Sequence, residues 1–140
     1  MITIERIESE QALITAADVM RELRPQFKVD ELVTQIKRQQ ANGYILFGAY
    51  QQDRCIAVAG CVVSEKLAWG KHLYIDDLVT LDSVRSQGVG ERMLNFCIEF
   101  AKANGCQSLH LDSGVQRFAA HRFYLRHKLA ITSHHFAMEW

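Results

Sequence analysis

The sequence has few of the features that mark several large classes of protein. Its single proline and its lack of any low-complexity tract leave a composition typical of a globular chain. No uncharged apolar run is long enough to span a bilayer, and the start "MITIERIESE" lacks the basic and apolar regions of a signal peptide. Sixteen Lys and Arg balance sixteen Asp and Glu, so no overall field attracts nucleic acid or an anionic membrane. We therefore expect a cytoplasmic protein with no nucleic-acid partner and no membrane partner.

Cysteine and histidine also occur without the spacing that metal sites require. Four cysteines form no CxxC pair, and three lie in apolar segments, which predicts free, reduced thiols. The pair His134-His135 would diverge in a strand, and neither it nor His110 has a Cys, Asp or Glu partner at ligand spacing. No metal site is expected.

What the sequence does contain is a regular alternation of helix and strand patterns. Two helical patterns, "SEQALITAADVMREL" and "KVDELVTQIKRQQ", are followed by the strand-like runs "YILFGAY", "CIAVAGCVV" and "HLYIDDLVTL". The first two of these runs are joined by a predicted hairpin at "QQDR". A helix, the strand "SLHLD", a second helix over residues 115–127 and a last strand "ITSHHFAMEW" complete the order, and "MITIERI" adds a short strand. The pattern predicts one domain over residues 1–140 with a mixed α/β sheet.

One strand departs from simple alternation. Leu73 and Ile75 share a face, and strict alternation would then bury Asp77. One extra residue at Asp76-Asp77 would restore the pattern through Leu78. The sequence therefore predicts a β-bulge at the two carboxylates.

The stretch "VRSQGVGERML" places Gly88 and Gly90 at the start of a helix, where glycine is a poor helix former. The first N–H groups of a helix have no intrahelical partner, so bare backbone there favours a bound phosphate. The alternative is that the glycines serve close packing between helix and strand. A P-loop is excluded because GxxxxGK[ST] is missing, and the dinucleotide fingerprint fails because Met93 stands where its third glycine would be.

The segment Arg85 to Gly90 resembles the acetyl-CoA signature R/Q-x-x-G-x-G/A of the GCN5-related N-acetyltransferase (GNAT) family. "YIDDLVTLDSVRSQGVGERML" is similar to the family's central strand, turn and helix, and "RFAAHRFYLRHKL" to its second conserved block. The resemblance implies an α/β (α+β) fold with a mixed central sheet, splayed strands and flanking helices. It also implies acetyl-CoA as co-substrate and an N-acetyltransferase acting on a primary amine of a small molecule or peptide.

The resemblance assigns roles to individual residues. Backbone amides of residues 87–91 would hold the pyrophosphate of coenzyme A, and a three-residue strand segment would pair with the pantetheine arm. Arg117 replaces the asparagine that the family often has seven residues before its tyrosine, and it would serve phosphate or pantetheine. The implied cofactor-binding set is Leu78, Val79, Thr80, Arg85, Ser86, Gln87, Gly88, Val89, Gly90, Glu91 and Arg117.

Two residues are the candidates for proton transfer. Tyr124 lies where the family's tyrosine protonates the departing thiolate, and the pKa of a phenol lies near that of a thiol. The alternative is a core ring whose hydroxyl bonds to the backbone. Asp76 is the preferred base, with Asp77, a histidine or water left open; the alternative for both carboxylates is to accept bonds from N–H groups freed by the bulge.

The connecting loops, Ser113 and the last residues of the chain carry further expectations. The connections "LRPQFKVD" and "SEKLAWGKH" would recognise the acceptor, or they are ordinary solvated loops. The recognising residues would be Arg24, Gln26, Phe27 and Lys28 on one side and Trp69 and Lys71 on the other. Ser113 begins an S-x-x-Q capping box for the second helix; the alternative is that Asp112 or Ser113, at the end of a strand, contacts the acceptor or the cofactor. The end "HHFAMEW" would either form a homodimer contact or finish this sheet.

A non-catalytic acyl-CoA-binding sensor or interaction domain is the alternative function.

Overall fold

The computed structural model describes all residues from 1 to 140, and the chain divides into two compact units, Met1–His110 and Leu111–Trp140. The first unit holds most of the secondary structure, and the second holds one helix. In chain order the elements are β1 Ile2–Arg6, α1 Glu10–Met20, α2 Val29–Gln40, β2 Tyr44–Gln51, β3 Arg54–Lys66, β4 Gly70–Thr80, a 3₁₀ turn Asp82–Val84, α3 Val89–Ala103, β5 Ser108–Leu111 and α4 Phe118–Arg126.

A mixed five-stranded sheet with the order β1-β2-β3-β4-β5 forms the centre of the first unit. The pairs β1-β2, β2-β3 and β3-β4 are antiparallel. The predicted hairpin between β2 and β3 is confirmed. Its two central residues, Gln52 and Asp53, have φ values of 51° and 63°, which is the backbone that a two-residue hairpin with positive φ at both positions requires.

The predicted bulge in β4 is also confirmed. Gly60 of β3 lies opposite Asp77, and the next residue, Cys61, lies opposite Ile75, so Asp76 is the extra residue of β4. The bulge lets the buried face of β4 continue past two carboxylates, because the register shifts by one residue at that point.

Helices cover both faces of the sheet. Tyr44 and Leu46 of β2 belong to the core cluster that contains the apolar stripes of α1 and α2. Phe47 instead meets the rings of Phe96 and Phe100 of α3, with centroids 4.8 and 5.0 Å away. Because adjacent residues of a strand point to opposite faces, α1 and α2 lie on one face and α3 on the other.

The buried stripes of α1 and α2 were predictable from the spacing of their apolar residues. Ser9, the first residue of the pattern "SEQALITAADVMREL" and of a type that favours helix starts, is the N-cap of α1 and accepts the N–H of Ala12 at 3.2 Å. The buried residues of α2 are the three that the pattern selects, Leu32, Val33 and Ile36. The cysteines are free, as expected; all are buried except Cys106, which is half-buried.

Two predictions for the second unit are wrong. The segment "ITSHHFAMEW" forms no strand, since pairing needs a partner backbone that alternation alone does not supply. The second helix begins at Phe118 with Arg117 as N-cap, so Ser113 is not its cap. A turn lies between the serine and the helix, closed by a hydrogen bond from Arg117 N–H to the Gly114 carbonyl at 3.0 Å. The Ser113 hydroxyl is buried and has no hydrogen-bond partner.

Candidate active site

Asp77 is the centre of a hydrogen-bonded cluster that joins β4 to β2 and to the connection between α1 and α2. Arg24 donates to Asp77 Oδ1 through Nε at 3.0 Å and through Nη2 at 2.8 Å. The hydroxyl of Tyr44 donates to Asp77 Oδ2 at 2.7 Å. Both oxygens of this carboxylate are therefore engaged, and its side chain is 14% exposed. Charge-assisted bonds of this kind fix the carboxylate in place.

Gly60 makes the Tyr44 contact possible. A Cβ at Gly60 would lie 1.6 Å from the Tyr44 hydroxyl oxygen, so any larger residue would displace the phenol. Gly60 is also the residue paired with Asp77 across the two strands. A glycine in a strand interior marks a close approach, and here the approaching group is the donor to Asp77.

Asp76, the extra residue of the bulge, has a different environment. Its carbonyl accepts a bond from Arg24 Nη2 at 3.2 Å, whereas its carboxylate has no hydrogen bond or ion pair within the protein. Desolvation and the negative charge of Asp77 raise the pKa of Asp76, and the charge of Arg24 opposes that rise. A carboxylate that is free and has a raised pKa is suited to accept a proton.

The alternative that these carboxylates accept backbone N–H groups freed by the bulge is wrong. Asp77 accepts from two side chains, and Asp76 accepts from no group of the protein. The bulge thus produces one carboxylate that is fixed and one that is free.

A cavity of about 70 Å³ opens beside this cluster. Its walls come from α1, the α1–α2 connection, α2, β2 and β4. Its polar and aromatic lining consists of Arg24, Phe27, Gln35, Gln39, Tyr44 and Asp77.

The predicted acceptor-binding residues are only partly brought together. Arg24 and Phe27 line the cavity, whereas Gln26, Lys28, Trp69 and Lys71 do not. The indole of Trp69 stacks on His110 with ring centroids 3.6 Å apart, and the ammonium of Lys66 lies 4.4 Å from the Trp69 ring centroid. Trp69 is therefore part of an aromatic cluster of the sheet.

The glycine-rich connection presents unpaired donors at the start of α3. Ser86 and Gly88 adopt the left-handed conformation, with φ values of 69° and 79°, and the helix begins at Val89. The first helical bond runs from Arg92 N–H to the Gly88 carbonyl at 3.1 Å. The N–H groups of residues 87–91 make no hydrogen bond within the protein. These N–H groups lie at the N-terminus of a 15-residue helix, which is the partly positive end of the helix dipole. This is a favourable place for an anion.

Gly88 is required by conformation and not by packing. A Cβ at this position would meet no atom within 4 Å, so the alternative of close helix–strand packing does not apply to it. Its φ of 79° is one that glycine adopts without strain.

Arg85 holds one side of the glycine-rich connection in place through two ion pairs and a hydrogen bond. It forms ion pairs with Asp82 at 2.7 Å and with Glu22 at 3.7 Å, and its Nε donates to the Thr80 carbonyl at 3.2 Å. Its charge is therefore shared with two carboxylates. Its role toward coenzyme A stays a prediction.

The segment Leu78 to Thr80 lies beyond the part of β4 that β5 can pair with. One of its edges pairs with residues 57–59 of β3. On the β5 side, Gln107 N–H bonds to the Lys71 carbonyl at 2.7 Å, and β5 then extends for four residues only. Four residues counted from Lys71 cannot reach Leu78, so β5 does not pair with this end of β4, and pairing with the pantetheine arm stays a prediction.

In the second unit, Tyr124 lies on α4 with its hydroxyl in a desolvated environment. Burial raises the pKa of Tyr124, and the charge of Arg117 opposes that rise. The histidine on the same helical face does not orient the tyrosine, since His121 Nε2 bonds to the Gly114 carbonyl at 2.8 Å.

Two residues of the cluster, Tyr44 and Gly60, were not predicted from the sequence. Tyr44 and Gly60 lie 33 and 17 positions before Asp77, and no local pattern connects residues so far apart. The one usable signal was the glycine within the apolar strand "CIAVAGCVV", because a glycine inside a strand often marks a place where another group comes close to the backbone.

Comparison with known proteins identifies the family. The model of the Acetyltransferase (GNAT) family matches residues 11–128. The chain belongs to the GNAT family.

Individual GNAT relatives agree with this result. The chain is 31% identical over 125 residues to the uncharacterized N-acetyltransferase YhdJ of Bacillus subtilis (strain 168), which covers 89% of this chain and 88% of the relative. It is 38% identical over 52 residues to the aminoalkylphosphonate N-acetyltransferase of Salmonella typhimurium, over 37% of this chain and 34% of that one.

Solved structures confirm the GNAT fold. The aminoglycoside N-acetyltransferase AAC(6')-Iy in complex with CoA gives a TM-score of 0.87 at 14% identity, covering 100% of this chain and 95% of that one. An acetyltransferase of Trypanosoma brucei gives a TM-score of 0.81 at 19% identity, with full coverage of both chains. The family and its N-acetyltransferase relatives make this chain an acetyl-CoA-dependent N-acetyltransferase.

Two further observations concern membrane-spanning helices and metal sites. No helix has the length and apolar content needed to cross a membrane. No three His, Cys, Asp or Glu side chains are grouped so that they could hold a metal ion.

Proposed function

We propose that this protein transfers an acetyl group from acetyl-CoA to a primary amine of a small molecule or peptide, by direct attack in a ternary complex. The observation that carries the proposal is the row of unpaired N–H groups over residues 87–91 at the start of α3. We further propose that residues 1–140 act as a single N-acetyltransferase domain.

In this proposal the connection before α3 binds the diphosphate of coenzyme A through backbone amides. Neutral backbone donors at a helix start are a ready site for such an anion. The backbone of Leu78, Val79 and Thr80 would pair with the amide groups of the pantetheine arm. Arg85 and Arg117 are proposed to add positive charge toward the phosphates of coenzyme A.

The acceptor must lose a proton before or as it attacks. At neutral pH an alkyl amine is largely protonated, so a base must remove the proton that makes the nitrogen unreactive. Asp76 is the proposed base, acting directly or through water, because its carboxylate is free and its pKa is raised. The amine nitrogen then bonds to the acetyl carbonyl carbon.

The carbon–sulfur bond breaks in the second half of the reaction. The electron pair of that bond leaves with the sulfur, and Tyr124 is proposed to give its hydroxyl proton to the thiolate. Because the pKa of Tyr124 is raised, the hydroxyl keeps its proton throughout the neutral range. The nitrogen loses a second proton to solvent as the amide forms, and Tyr124 regains its own proton from solvent, so the products are an N-acetylated amine, coenzyme A and the proton taken up by Asp76.

The test combines binding with turnover. Purified protein is first melted with and without millimolar coenzyme A, and then supplied with acetyl-CoA and pools of amines, amino acids and peptides while free thiol is measured. Coenzyme A is expected to raise the melting temperature, and one pool is expected to release thiol. No rise in melting temperature would contradict the anion site.

Matched variants separate the two proton-transfer roles. Tyr124→Phe is expected to lower kcat while leaving acetyl-CoA binding intact, with Tyr50→Phe as the control tyrosine. Asp76→Asn is expected to lower kcat/KM by about 10²- to 10⁴-fold, the usual contribution of a general base, with exposed Asp18→Asn as the control. Tight acetyl-CoA binding with no turnover on any pool would instead favour a non-catalytic sensor.

A further inference from the structure

The cavity beside Asp77 has a composition that points to one kind of ligand group. It is about 70 Å³ in volume, and a water-sized group needs roughly 10–15 Å³ of such space. The cavity therefore holds about five heavy atoms, which is the end of a small molecule and not a whole cofactor.

The charges in the cavity cancel. Arg24 and Asp77 are the only charged residues in its lining, and they are paired through two bonds to one carboxylate oxygen. The second oxygen is occupied by the Tyr44 hydroxyl at 2.7 Å. A ligand carboxylate or ammonium placed here would meet no unpaired counter-charge, and it would have to disrupt a partly buried pair.

Uncharged hydrogen-bonding capacity is nevertheless available on α2. Gln35 and Gln39 are one helical turn apart, and Gln35 Nε2 donates to Gln39 Oε1 at 2.9 Å. This leaves the Gln35 amide oxygen as an acceptor and the Gln39 amide nitrogen as a donor, both on half-buried residues. Whichever way the two amides are turned, one donor group and one acceptor are left over.

We propose that the Gln35–Gln39 cavity binds an uncharged hydroxyl or carboxamide group of the amine acceptor. Such a group both donates and accepts, as the two leftover amide atoms require, whereas a carboxylate only accepts and an ammonium only donates. Phe27, Leu32 and Ile36 supply apolar walls for the carbon atoms that carry the group. This inference rests on the proposed function, since it names the class of acceptor: a small hydroxylated or carboxamide-bearing primary amine.

The experiment compares four amines with the same three-carbon skeleton: 3-aminopropanol, β-alaninamide, β-alanine and propylamine. Binding is followed in the ¹⁵N-labelled full chain, without acetyl-CoA, through the side-chain amide signals of Gln35 and Gln39. The signals are assigned by their loss in Gln35→Leu and Gln39→Leu. Two added hydrogen bonds predict that 3-aminopropanol and β-alaninamide bind at least about tenfold more tightly than the other two.

The variants test the origin of that preference. Gln39→Leu is expected to remove it, and Gln11→Leu, on the exposed part of α1, is expected to keep it. Equal affinity for all four amines would overturn the proposal, as would tightest binding of β-alanine.

Turnover of the same four amines distinguishes this proposal from the proposed function. Acetylation of all four at similar kcat/KM, without a binding preference, would overturn the acceptor class and leave the acetyltransferase intact. A binding preference without any acetylation would support the cavity's specificity and count against the proposed reaction.

Discussion

Replacing Tyr44 with phenylalanine removes one hydroxyl from the centre of the cluster and changes almost nothing else. Tyr44 is 4% exposed, and phenylalanine fills the same space, so no cavity forms. The lost interaction is a bond to a carboxylate, and bonds to charged groups contribute about 1.5–3 kcal/mol. We expect Tyr44→Phe to lower the free energy of unfolding by about 2 kcal/mol at pH 7.

That loss converts to a measurable change in melting temperature. With an unfolding entropy of about 2.1 cal/mol/K per residue, a chain of 140 residues has a total of about 0.3 kcal/mol/K. The melting temperature of Tyr44→Phe should therefore fall by about 7 °C. Urea unfolding at pH 7 checks the free energy directly.

The effect should shrink at high pH. Burial, and then the charge and hydrogen bond of Asp77, raise the pKa of Tyr44 well above its ordinary value. Above pH 10 the tyrosine of the unfolded chain loses its proton while Tyr44 in the folded chain keeps it, which favours unfolding. The wild type should therefore lose about 1.4 kcal/mol per pH unit from this residue, and Tyr44→Phe should not.

Two results would refute this reasoning. One is equal stability of wild type and Tyr44→Phe at pH 7; the other is a difference that grows between pH 10 and pH 11. A double-mutant cycle with Asp77→Asn isolates the pair, because only the coupling between Tyr44 and Asp77 survives the subtraction. A coupling near zero would mean that the hydroxyl acts through some other group.

Three further predictions follow from the same geometry. Gly60→Ala forces the phenol of Tyr44 away from Asp77, so urea unfolding should show a loss at least as large as that of Tyr44→Phe. Gly88→Ala meets no neighbour but strains a φ of 79°, which should cost about 1–2 kcal/mol in urea unfolding and weaken coenzyme A binding in calorimetry. Asp76→Asn should melt above the wild type at pH 7. The raised pKa of Asp76 means that its contribution to stability is present below the ordinary aspartate pKa and lost as pH rises, so the difference should disappear on acidification.

The parts of the fold that follow from local rules were predictable. The stripe on α2, the cap at Ser9 and the hairpin at Gln52 and Asp53 each depend on residues a few positions apart. The bulge was predictable for the same reason, because alternation around Asp76 breaks within one strand. The unpaired amides before α3 also follow from local chemistry, since a helix start always leaves donors without partners.

The parts that failed depend on distant partners. The pattern of residues 131–140 is compatible with a strand, but a strand forms only against another backbone, and none pairs with it in its unit. The capping box at Ser113 satisfied a four-residue pattern, yet the N-cap of the helix is Arg117, four residues later, and the helix begins at Phe118. Neither error could be detected in a short window.

The candidate site combines both kinds of information, and this is why only half of it was found. The sequence places two adjacent carboxylates at a bulge but cannot say which of them is available. That distinction comes from Arg24 and Tyr44, which lie 53 and 33 positions away and both bind Asp77. Desolvation, and then the negative charge of Asp77, raise the pKa of Asp76, and because the carboxylate of Asp77 is already occupied, Asp76 is the carboxylate able to take a proton. A cluster that looks structural therefore sets the chemistry of the residue beside it, and a change at Tyr44, Gly60 or Arg24 should alter the pH profile of acetyl transfer as well as stability.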